Sequence, residues 1–387
     1  MNSRVISTCL AFAVAATTSP SCMARDGMRS ECVGDFTLQL GGDIEYALVP
    51  AQGLASIDST AMPQTRFSDG LWAQGSRIDV DVAGLGPVKL YQSATASRGD
   101  LAAIAEALNA PLAHRKQGYL DDARWLDEHP DAAKDMDPDR RERMSLQSKA
   151  GKVGQFTAVP GNADTVVGPA ESMPQVLSLV GDHIYAAGTS GDGSPARLGA
   201  ILGSLIKQRD AFQVPAGPGL CVPGALVADD RGSGEVAVNL QMKDQPGIVI
   251  FFEQSVAAEP RQSAKEFISA ATQPGRTFVG SVEARPLDHV RPTRALRIDG
   301  REGLGAFAQV RREGTLANTA SKDLDWAFIG YVPGQAGLKA GQSYDITLKV
   351  ERFGRFARQP MTEAEFRDLV ERVAQGIAHR PDPAAPR

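Results

Sequence analysis

The chain has 387 residues, of which 42% are hydrophobic and 22% are charged. This is the composition of an ordinary globular protein, and the length is sufficient for two hydrophobic cores of normal domain size. The net charge of -5 argues against a nucleic-acid partner, because phosphate binding is driven by clustered Lys and Arg side chains.

The N-terminus has the pattern of an export signal. Arg4 supplies a positive charge, the uncharged apolar run 5–16 follows it, and small polar residues come next. The run is too short to span a bilayer, and no later segment approaches the roughly 18 continuous apolar residues of a transmembrane helix. We therefore expect residues 1–24 to be a signal peptide and the mature protein to lie in the periplasm.

Two interpretations of the end of this signal stay open at Cys22. A lipoprotein signal ends with an apolar residue and two small residues before the Cys that receives lipid. The segment Ser19–Cys22 has the small residues but has Ser where Leu is expected. Cleavage after Ala24 is the alternative, and it would release the protein into the periplasm. Cys22 is thus a candidate lipidation residue that would tether the protein to the outer membrane.

The first half of the mature chain, residues 25–215, is predicted to form an N-terminal α+β lobe. Apolar residues recur at helical spacing from Leu101 to Leu108 and again from Leu198 to Leu205. Alternating apolar residues predict strands at 36–40, 78–82 and 88–90.

The segment 118–152 interrupts this half with a highly charged run that is rich in helix-forming residues. One interpretation is a solvated helical excursion, which is typical of charge runs. The other is a projecting arm with Tyr119 and Trp125 as partner-binding anchors, because interface hot spots are enriched in aromatic residues. Residues 25–215 carry 18 Lys and Arg against 25 Asp and Glu, so this half would attract a basic partner, although such charge also serves solubility.

Alternating Pro and Gly at 215–220 predict a boundary, with residues 216–387 forming a second α+β lobe. Both halves open on Cys-Val and close on an amphipathic helix followed by a basic residue, Arg209 in the first and Arg380 in the second. A weak internal duplication is the simplest explanation of this shared plan.

The predicted strands are short and are separated by turns, without strict alternation of strands and helices. This favours lobes of mostly antiparallel sheet with packed helices, and not a doubly wound fold. In the second half, helices are predicted at 264–271 and from Thr362, whose side chain would cap a first turn containing Glu363 and Glu365. Strands are predicted at 248–252, 327–331 and 346–350.

Cys32 and Cys221 are the cysteines left once the signal region is set aside. Two thiols in an oxidising compartment are a candidate disulfide, which would link the two halves. The alternative is two buried free thiols, since unpaired Cys behaves as a small apolar core residue.

Catalytic and metal-binding motifs are missing from the sequence. There is no nucleophile elbow, no zinc motif and no phosphate-binding loop, so we expect neither an enzyme nor a metal or cofactor. The Gly-rich stretches 188–193 and 300–305 are interpreted as turns between strands. The acidic run 135–139 lacks the Gly of a calcium loop, and His183 in an apolar strand is interpreted as structural.

Several short motifs of this chain resemble those of a known family. They comprise Cys32–Phe36, Leu220–Val222, the turn 300–303, the strand bearing Trp326 and the closing helix from Glu363 to Ile377. With the export signal and the two-lobe plan, they resemble the two-domain periplasmic immunity proteins that protect bacteria from type VI secretion lipase effectors.

The resemblance covers nearly all of the mature chain and implies a function without catalysis. It implies that the two lobes grip a cognate phospholipase effector and block its lid or the access to its active site. The alternative is an envelope structural or ligand-binding lipoprotein without effector-inhibiting activity.

Overall fold

Both halves of the chain contribute strands to one large antiparallel sheet. This is seen in a computed structural model, which describes residues 28–57, 63–141, 153–189, 194–228, 234–257, 262–273, 277–279, 284–310, 325–335 and 343–380. The fold is α+β, as the sequence predicts. Cys22 and the predicted signal lie outside the described residues.

The strands and helices alternate irregularly along the chain. The first half contains β1 (Met28–Val33), β2 (Phe36–Gly41), β3 (Ile44–Tyr46), β4 (Gln64–Arg66), β5 (Trp72–Gln74), β6 (Arg77–Val82), β7 (Gly86–Thr95), β8 (Thr157–Val159), β9 (Asn162–Val167), β10 (Val176–Val180), β11 (His183–Thr189) and β12 (Ile206–Gln208). The second half contains β13 (Leu220–Val222), β14 (Ala225–Val227), β15 (Glu235–Met242), β16 (Ile248–Val256), β17 (Thr277–Val279), β18 (Ala284–Val290), β19 (Arg294–Ile298), β20 (Arg301–Val310), β21 (Asp325–Val332), β22 (Tyr344–Arg352) and β23 (Ile377–His379). The helices are α1 (Arg98–Glu128), α2 (Pro130–Lys134), α3 (Pro195–Leu205), α4 (Ala264–Ala271) and α5 (Glu363–Gln375), with a 3-10 turn at Ala51–Ser56.

Within the described ranges, the large sheet has 15 strands. Its path is β17-β18-β20-β21-β22-β16-β15-β6-β7-β11-β10-β9-β8, with β19 on β20 and β3 on β15. Smaller sheets have the orders β1-β2-β23, β12-β14-β13 and β4-β5.

The two halves meet at β15, which belongs to the second half and pairs with two strands of the first. Val236 lies opposite Ile78 of β6, and Leu240 lies opposite Tyr46 of β3. The sheet is therefore continuous from one half to the other. The boundary at 215–220 and the internal duplication stay predictions.

The two faces of this sheet are covered differently. On one face a single large core includes Ile78, Val238 and Leu348 from the sheet together with the apolar sides of α3 and α5. On the other face, α1 packs near one edge against β7, β9, β10 and β11, and α4 packs near the other edge against β20 and β21. The β4–β5 hairpin packs with Phe353 against Val249 of β16.

Most predicted elements are confirmed. The strands predicted from alternation appear in β2, β6, β7, β16, β21 and β22. The closing helix has the predicted cap, since Thr362 accepts a hydrogen bond from the backbone of Glu365. It ends at Gln375, and Ile377 begins β23.

Neither Gly-rich stretch is simply a turn between strands. Gly188 and Thr189 belong to β11, residues 190–193 lie outside the described residues, and the next described element is the helix α3. The other stretch, 300–305, is mostly strand. Only Asp299 and Gly300 form a turn, and residues 301–305 lie within β20. The glycines of this stretch permit close packing, because a Cβ at Gly303 would lie 2.3 Å from the carbonyl oxygen of Tyr331 on the neighbouring strand.

The predicted helix at 101–108 is part of a much longer one. The 31-residue α1 begins with a capping box at Ser97 and Asp100, and it continues into the charged segment as far as Glu128. Beyond Leu112 no described side chain of α1 is buried. In the described part of the chain, no helix has the length and apolar character needed to cross a bilayer.

Candidate functional site

The two halves of the chain are joined around a disulfide, in a region that we call the seam. It comprises Cys32 and Cys221 with the neighbouring residues Glu31, Gly34, Asp35, Arg209 and Arg380. Cys32 of β1 and Cys221 of β13 form a disulfide with Cα atoms 5.5 Å apart, and both residues are fully buried. Beside it, the Gly34 backbone N–H donates to the Cys221 carbonyl at 2.7 Å, and the Cys221 N–H donates back at 3.0 Å. The structure thus brings together the two cysteines that the sequence singles out.

A buried ion pair reinforces the seam. Arg209, which follows β12, pairs with Glu31 of β1, and the side chain of Arg209 is only 3% exposed. Arg209 Nη2 also donates to the carbonyl of Cys32 at 2.9 Å and to that of Val222 at 3.0 Å. The second oxygen of Glu31 accepts from the backbone of Phe212 at 2.7 Å. Each charge therefore has several partners, which a buried ion pair requires.

Arg380 closes the seam from the other end of the sequence. Its Nη1 lies 3.4 Å from Cys221 Sγ, and its backbone N–H donates to the Asp35 carbonyl at 2.6 Å. Asp35 in turn accepts from Gln254 Nε2 at 2.8 Å, while its backbone donates to Gln254 Oε1 at 2.8 Å. Strand β23 pairs with β2 next to these contacts, with Phe36 opposite His379.

Gly34 is required by this packing. Its φ is +61°, and a Cβ there would lie 2.3 Å from Gln254 Oε1 and 2.7 Å from Val236 Cγ1. A side chain would therefore be strained in its backbone conformation and would also collide with β15 and β16.

Most motifs that carry the sequence resemblance meet at this seam. Cys32–Phe36 and Leu220–Val222 form its centre, and α5 leads into β23. The turn at Asp299 reaches it as well, because the Asp299 carboxylate accepts from the His379 backbone at 2.8 Å. Trp326 is buried in β21 and belongs to the same large core as Phe36 and Val222.

The middle of the large sheet carries a second notable feature on the face that bears α1 and α4. We call it the charged strip. It consists of Arg77, Asp79, Asp81, Lys89, Glu235, Glu253, Lys349 and Glu351.

Arg77 lies at the centre of the charged strip. It is 3.0 Å from Asp79, 3.6 Å from Glu253 and 3.9 Å from Glu235, and the side chains of all four are between 20% and 30% exposed. Asp79 and Glu235 lie directly opposite each other in the β6–β15 pair, at the place where the two halves join. Like charges in this arrangement repel each other.

Burial raises the pKa of two carboxyls in the charged strip. For Asp79 the rise is opposed by the positive charges of Arg77 and Lys89. For Glu235 the negative charges of Asp79 and Glu253 add to it, whereas a hydrogen bond from the Val256 backbone opposes it. Burial also lowers the pKa of Lys349. Burial therefore disfavours the charged forms of Asp79, Glu235 and Lys349 in the folded protein.

The charged strip was missed by the sequence interpretation. The available signal was the alternation in β6, RIDVDV, where charged residues take every second position opposite the apolar core. Alternation assigns those residues to the other face, but it cannot show that charges from β15, β16 and β22 lie beside them.

The β4–β5 hairpin lies at one end of the same face and presents an exposed aromatic residue. Trp72 is 41% exposed, and the Arg66 guanidinium lies 4.0 Å from its ring centroid. This is a cation–π contact, which holds both side chains at the surface.

Of the two predicted aromatic anchors, Trp125 is 41% exposed and Tyr119 is half-buried, and both lie on α1 beyond its last buried residue, Leu112. Trp125 stacks on His129 with ring centroids 4.9 Å apart. A role of either residue in partner binding stays a prediction.

His183 makes the structural contact expected from its strand, because its Nδ1 lies 2.9 Å from the Ser93 carbonyl. Among the residues that the structure describes, no group of three or more His, Cys, Asp or Glu side chains is placed to hold a metal ion.

A cavity of about 520 Å³ lies between α1 and the β8–β9 hairpin. Its wall is mostly apolar, with Leu101, Phe156 and Val166 among the lining residues and Arg98 and Glu106 beside them. Arg98 is already paired with Asp164 at 2.7 Å. The volume is within the range of small-molecule sites.

No family model matches the chain, and no curated protein matches it. Among solved structures, the fold is similar to that of immunity proteins of the type VI secretion system. This is the class that the sequence resembles.

The particular structures are the immunity protein TplEi from Pseudomonas aeruginosa, complexed with "L" peptide and in the apo state, and a chain of the Tle4–Tli4 complex. The TplEi complex is 14% identical over 92% of this chain and 99% of its own, with a TM-score of 0.48. Apo TplEi is 14% identical over 93% of this chain and 99% of its own, with a TM-score of 0.47. The chain of the Tle4–Tli4 complex is 13% identical over 93% of this chain and 99% of its own, also with a TM-score of 0.47.

Proposed function

We propose that this protein is a periplasmic immunity protein that binds and inhibits a cognate type VI secretion lipase effector. The observation that carries the proposal is the seam. Most motifs on which the sequence resemblance rests come together there, in a cross-link between the two halves. These residues thus join the two halves, and an inhibitor that holds its partner between two lobes needs such a joint.

The seam suits inhibition by binding because it fixes the halves before the partner arrives. Both cysteines and the Arg209–Glu31 pair are buried, so this joint does not have to become ordered during association. Preorganisation of this kind lowers the entropy cost of binding. We infer that the two lobes hold the effector between them and block its lid or the access to its active site, without any catalytic step.

The test is reconstitution of the pair. The mature chain, from residue 25, is mixed with the lipase encoded beside its gene, and complex formation and ester hydrolysis are measured. We expect a stable complex of roughly nanomolar affinity and at least about a tenfold loss of lipase activity. An unrelated lipase serves as the control and keeps its activity. Lack of association at micromolar concentrations would contradict the proposal.

A second candidate function is supported by the cavity between α1 and β8–β9. An envelope lipoprotein that binds an apolar ligand would use such a space and would be anchored through lipid on Cys22. Labelled palmitate would then be incorporated in cells and lost in Cys22→Ser, and an apolar fluorescent probe would bind the purified protein. Narrowing the cavity with Ala105→Leu would weaken probe binding, whereas Ala113→Leu, on the exposed part of α1, would not. If palmitate is not incorporated and the probe does not bind, this candidate function has no support.

A further inference from the structure

We propose that the outer edge of β19 is the docking site for an extended acidic segment of the partner protein, which adds to the large sheet as a further strand. The inference rests on the proposed function, because it takes the effector as the partner. It adds which edge of this chain makes the contact and what chemistry the partner supplies.

Strand β19 (Arg294–Ile298) lies at an edge of the large sheet. It forms a hairpin with β20, and within the described part of the chain it pairs with no other strand. Ile298 lies opposite Arg301, and the two residues between them, Asp299 and Gly300, both have positive φ, as in a type I′ turn. In such a hairpin the two residues that flank the turn exchange backbone hydrogen bonds.

This register sets the direction of every backbone group in β19. In an antiparallel strand, successive residues direct their N–H and C=O groups to opposite sides. Because Ile298 bonds to β20, Leu296 and Arg294 do so as well, and the backbone groups of Ala295 and Arg297 point away from the sheet. Both of these residues are exposed, and no described group donates to or accepts from their backbone. Two donors and two acceptors are therefore available along this edge.

Other strand edges of the molecule are closed by side chains. Just before β8, the Asn109 side chain accepts from the Phe156 N–H at 2.7 Å and donates to the Phe156 carbonyl at 3.0 Å. At β23 the Asp299 carboxylate accepts from the His379 N–H at 2.8 Å. No described side chain closes β19 in this way. An open edge of this kind is a template for a strand from another protein.

The side chains of β19 select an acidic occupant. Arg294 and Arg297 are exposed, and among the described residues neither has a carboxylate within salt-bridge distance, although Glu302 of β20 lies opposite Arg297. Between them, Leu296 packs against the edge of the large core. A strand with carboxylates opposite both arginines and an apolar residue opposite Leu296 would match this pattern, because cross-strand pairs of opposite charge are stabilising.

The same arginines disfavour a second copy of this chain as the occupant. Antiparallel pairing of two β19 strands would place Arg294 and Arg297 of one copy beside those of the other. Like charges directly opposite each other in a sheet are destabilising. The charge of the edge thus favours a strand of different composition.

Both ends of β19 offer further contacts to a bound segment. Val290, which is 40% exposed, precedes β19 on the same side of β20. At the other end, the turn at Asp299 contacts β23, which pairs with β2 of the first half. A segment bound along β19 therefore lies beside the seam.

The test removes the backbone donor and the charges separately. Ala295→Pro removes an outward N–H without removing a hydrogen bond to β20, and Ala295→Val keeps that N–H as the control. Arg294→Gln with Arg297→Gln removes the charges, and Arg115→Gln with Arg124→Gln removes two exposed arginines of α1 as the control. Each mature variant is titrated with the adjacent lipase and, separately, with a fluorescein-labelled peptide of sequence TEVTET.

This peptide is matched to the edge. In antiparallel register its two Glu residues lie opposite Arg297 and Arg294, and its Val lies opposite Leu296. A second peptide with Lys in place of Glu has the opposite charge and serves as the control ligand.

We expect Ala295→Pro to weaken the binding of the lipase and of TEVTET by at least about fivefold, the effect of one lost hydrogen bond. The Arg294 and Arg297 double variant should weaken both about tenfold, and the two control proteins should stay within about twofold. The urea midpoint of Ala295→Pro should match that of the unmodified protein. A clear fall would show that this N–H is engaged within the protein, which overturns the inference.

The remaining outcomes are also decisive. Equal binding of the Glu and Lys peptides would show that the edge does not recognise charge and would overturn the inference. If the lipase binds the unmodified protein and every variant equally, the docking site is elsewhere and the proposed function stands. If the lipase does not bind the unmodified protein, the proposed function fails, and the peptide titration still decides whether the edge takes an acidic strand. A dimer that dissociates in Ala295→Pro would identify a second copy as the occupant, which also overturns the inference.

Discussion

Replacing Arg209 with Met is expected to destabilise the protein by about 3–5 kcal/mol, the usual cost of breaking one side of a buried ion pair. Glu31 is fully buried, and without Arg209 it loses its cationic partner while keeping the backbone donor of Phe212. The carbonyl oxygens of Cys32 and Val222 lose a donor in the same change. Urea unfolding monitored by tryptophan fluorescence measures the effect.

Two further variants establish the cause of this loss. Arg124→Met removes an exposed arginine of α1 and should change the free energy of unfolding by no more than about 0.5 kcal/mol. Arg209→Met combined with Glu31→Leu removes both charges and should be less destabilised than Arg209→Met alone. If the double variant is less stable than Arg209→Met alone, the uncompensated charge of Glu31 does not explain the destabilisation.

Removing the disulfide should have an effect of similar size. Replacing Cys32 and Cys221 with Ala opens a cross-link across 189 residues, and loss of a native disulfide typically costs about 2–5 kcal/mol. We expect a lower urea midpoint for the double variant. A reductant should lower the midpoint of the unmodified protein and leave that of the double variant unchanged.

Thiol titration of the unfolded, unreduced protein provides the independent check. The disulfide predicts that neither Cys32 nor Cys221 reacts before reduction and that both react after it. Two reactive thiols in protein prepared from the periplasm would show that the cross-link does not form there. The proposed inhibition would then depend for its fixed geometry on the other joints between the halves. These are the buried ion pair, β23, the backbone hydrogen bonds at Gly34 and the pairing of β15 with β3 and β6.

Local patterns in the sequence predict the local elements well. In β2 and β6, alternation of apolar and polar residues identifies a strand with one buried face, because successive side chains point to opposite sides. The capping residue Thr362 and its acidic first turn locate the start of α5. Once the predicted signal region is set aside, the two remaining cysteines, Cys32 and Cys221, are a candidate pair, and the structure shows them bonded.

Long-range arrangement could not be predicted in the same way. The pairing of β15 with β6 joins segments far apart in sequence, and no local period encodes which strands become neighbours. Neither the charged strip nor the role of Arg209 as a buried partner of Glu31 is therefore visible in the sequence. The segment 301–305 was misassigned because glycine serves close strand packing as well as turns, and only the position of β21 distinguishes the two uses.

The three-stranded sheet β1-β2-β23 has a consequence for how the molecule matures. Thr37 donates a hydrogen bond to Ala378 across a separation of 341 residues. A hairpin made early in synthesis therefore keeps an unpaired edge until nearly all of the described chain has emerged. Contacts this distant in sequence form slowly, and open strand edges can pair with other chains in the meantime. During this interval the open edge of the newly made hairpin would have to be shielded from other chains, for example by a chaperone.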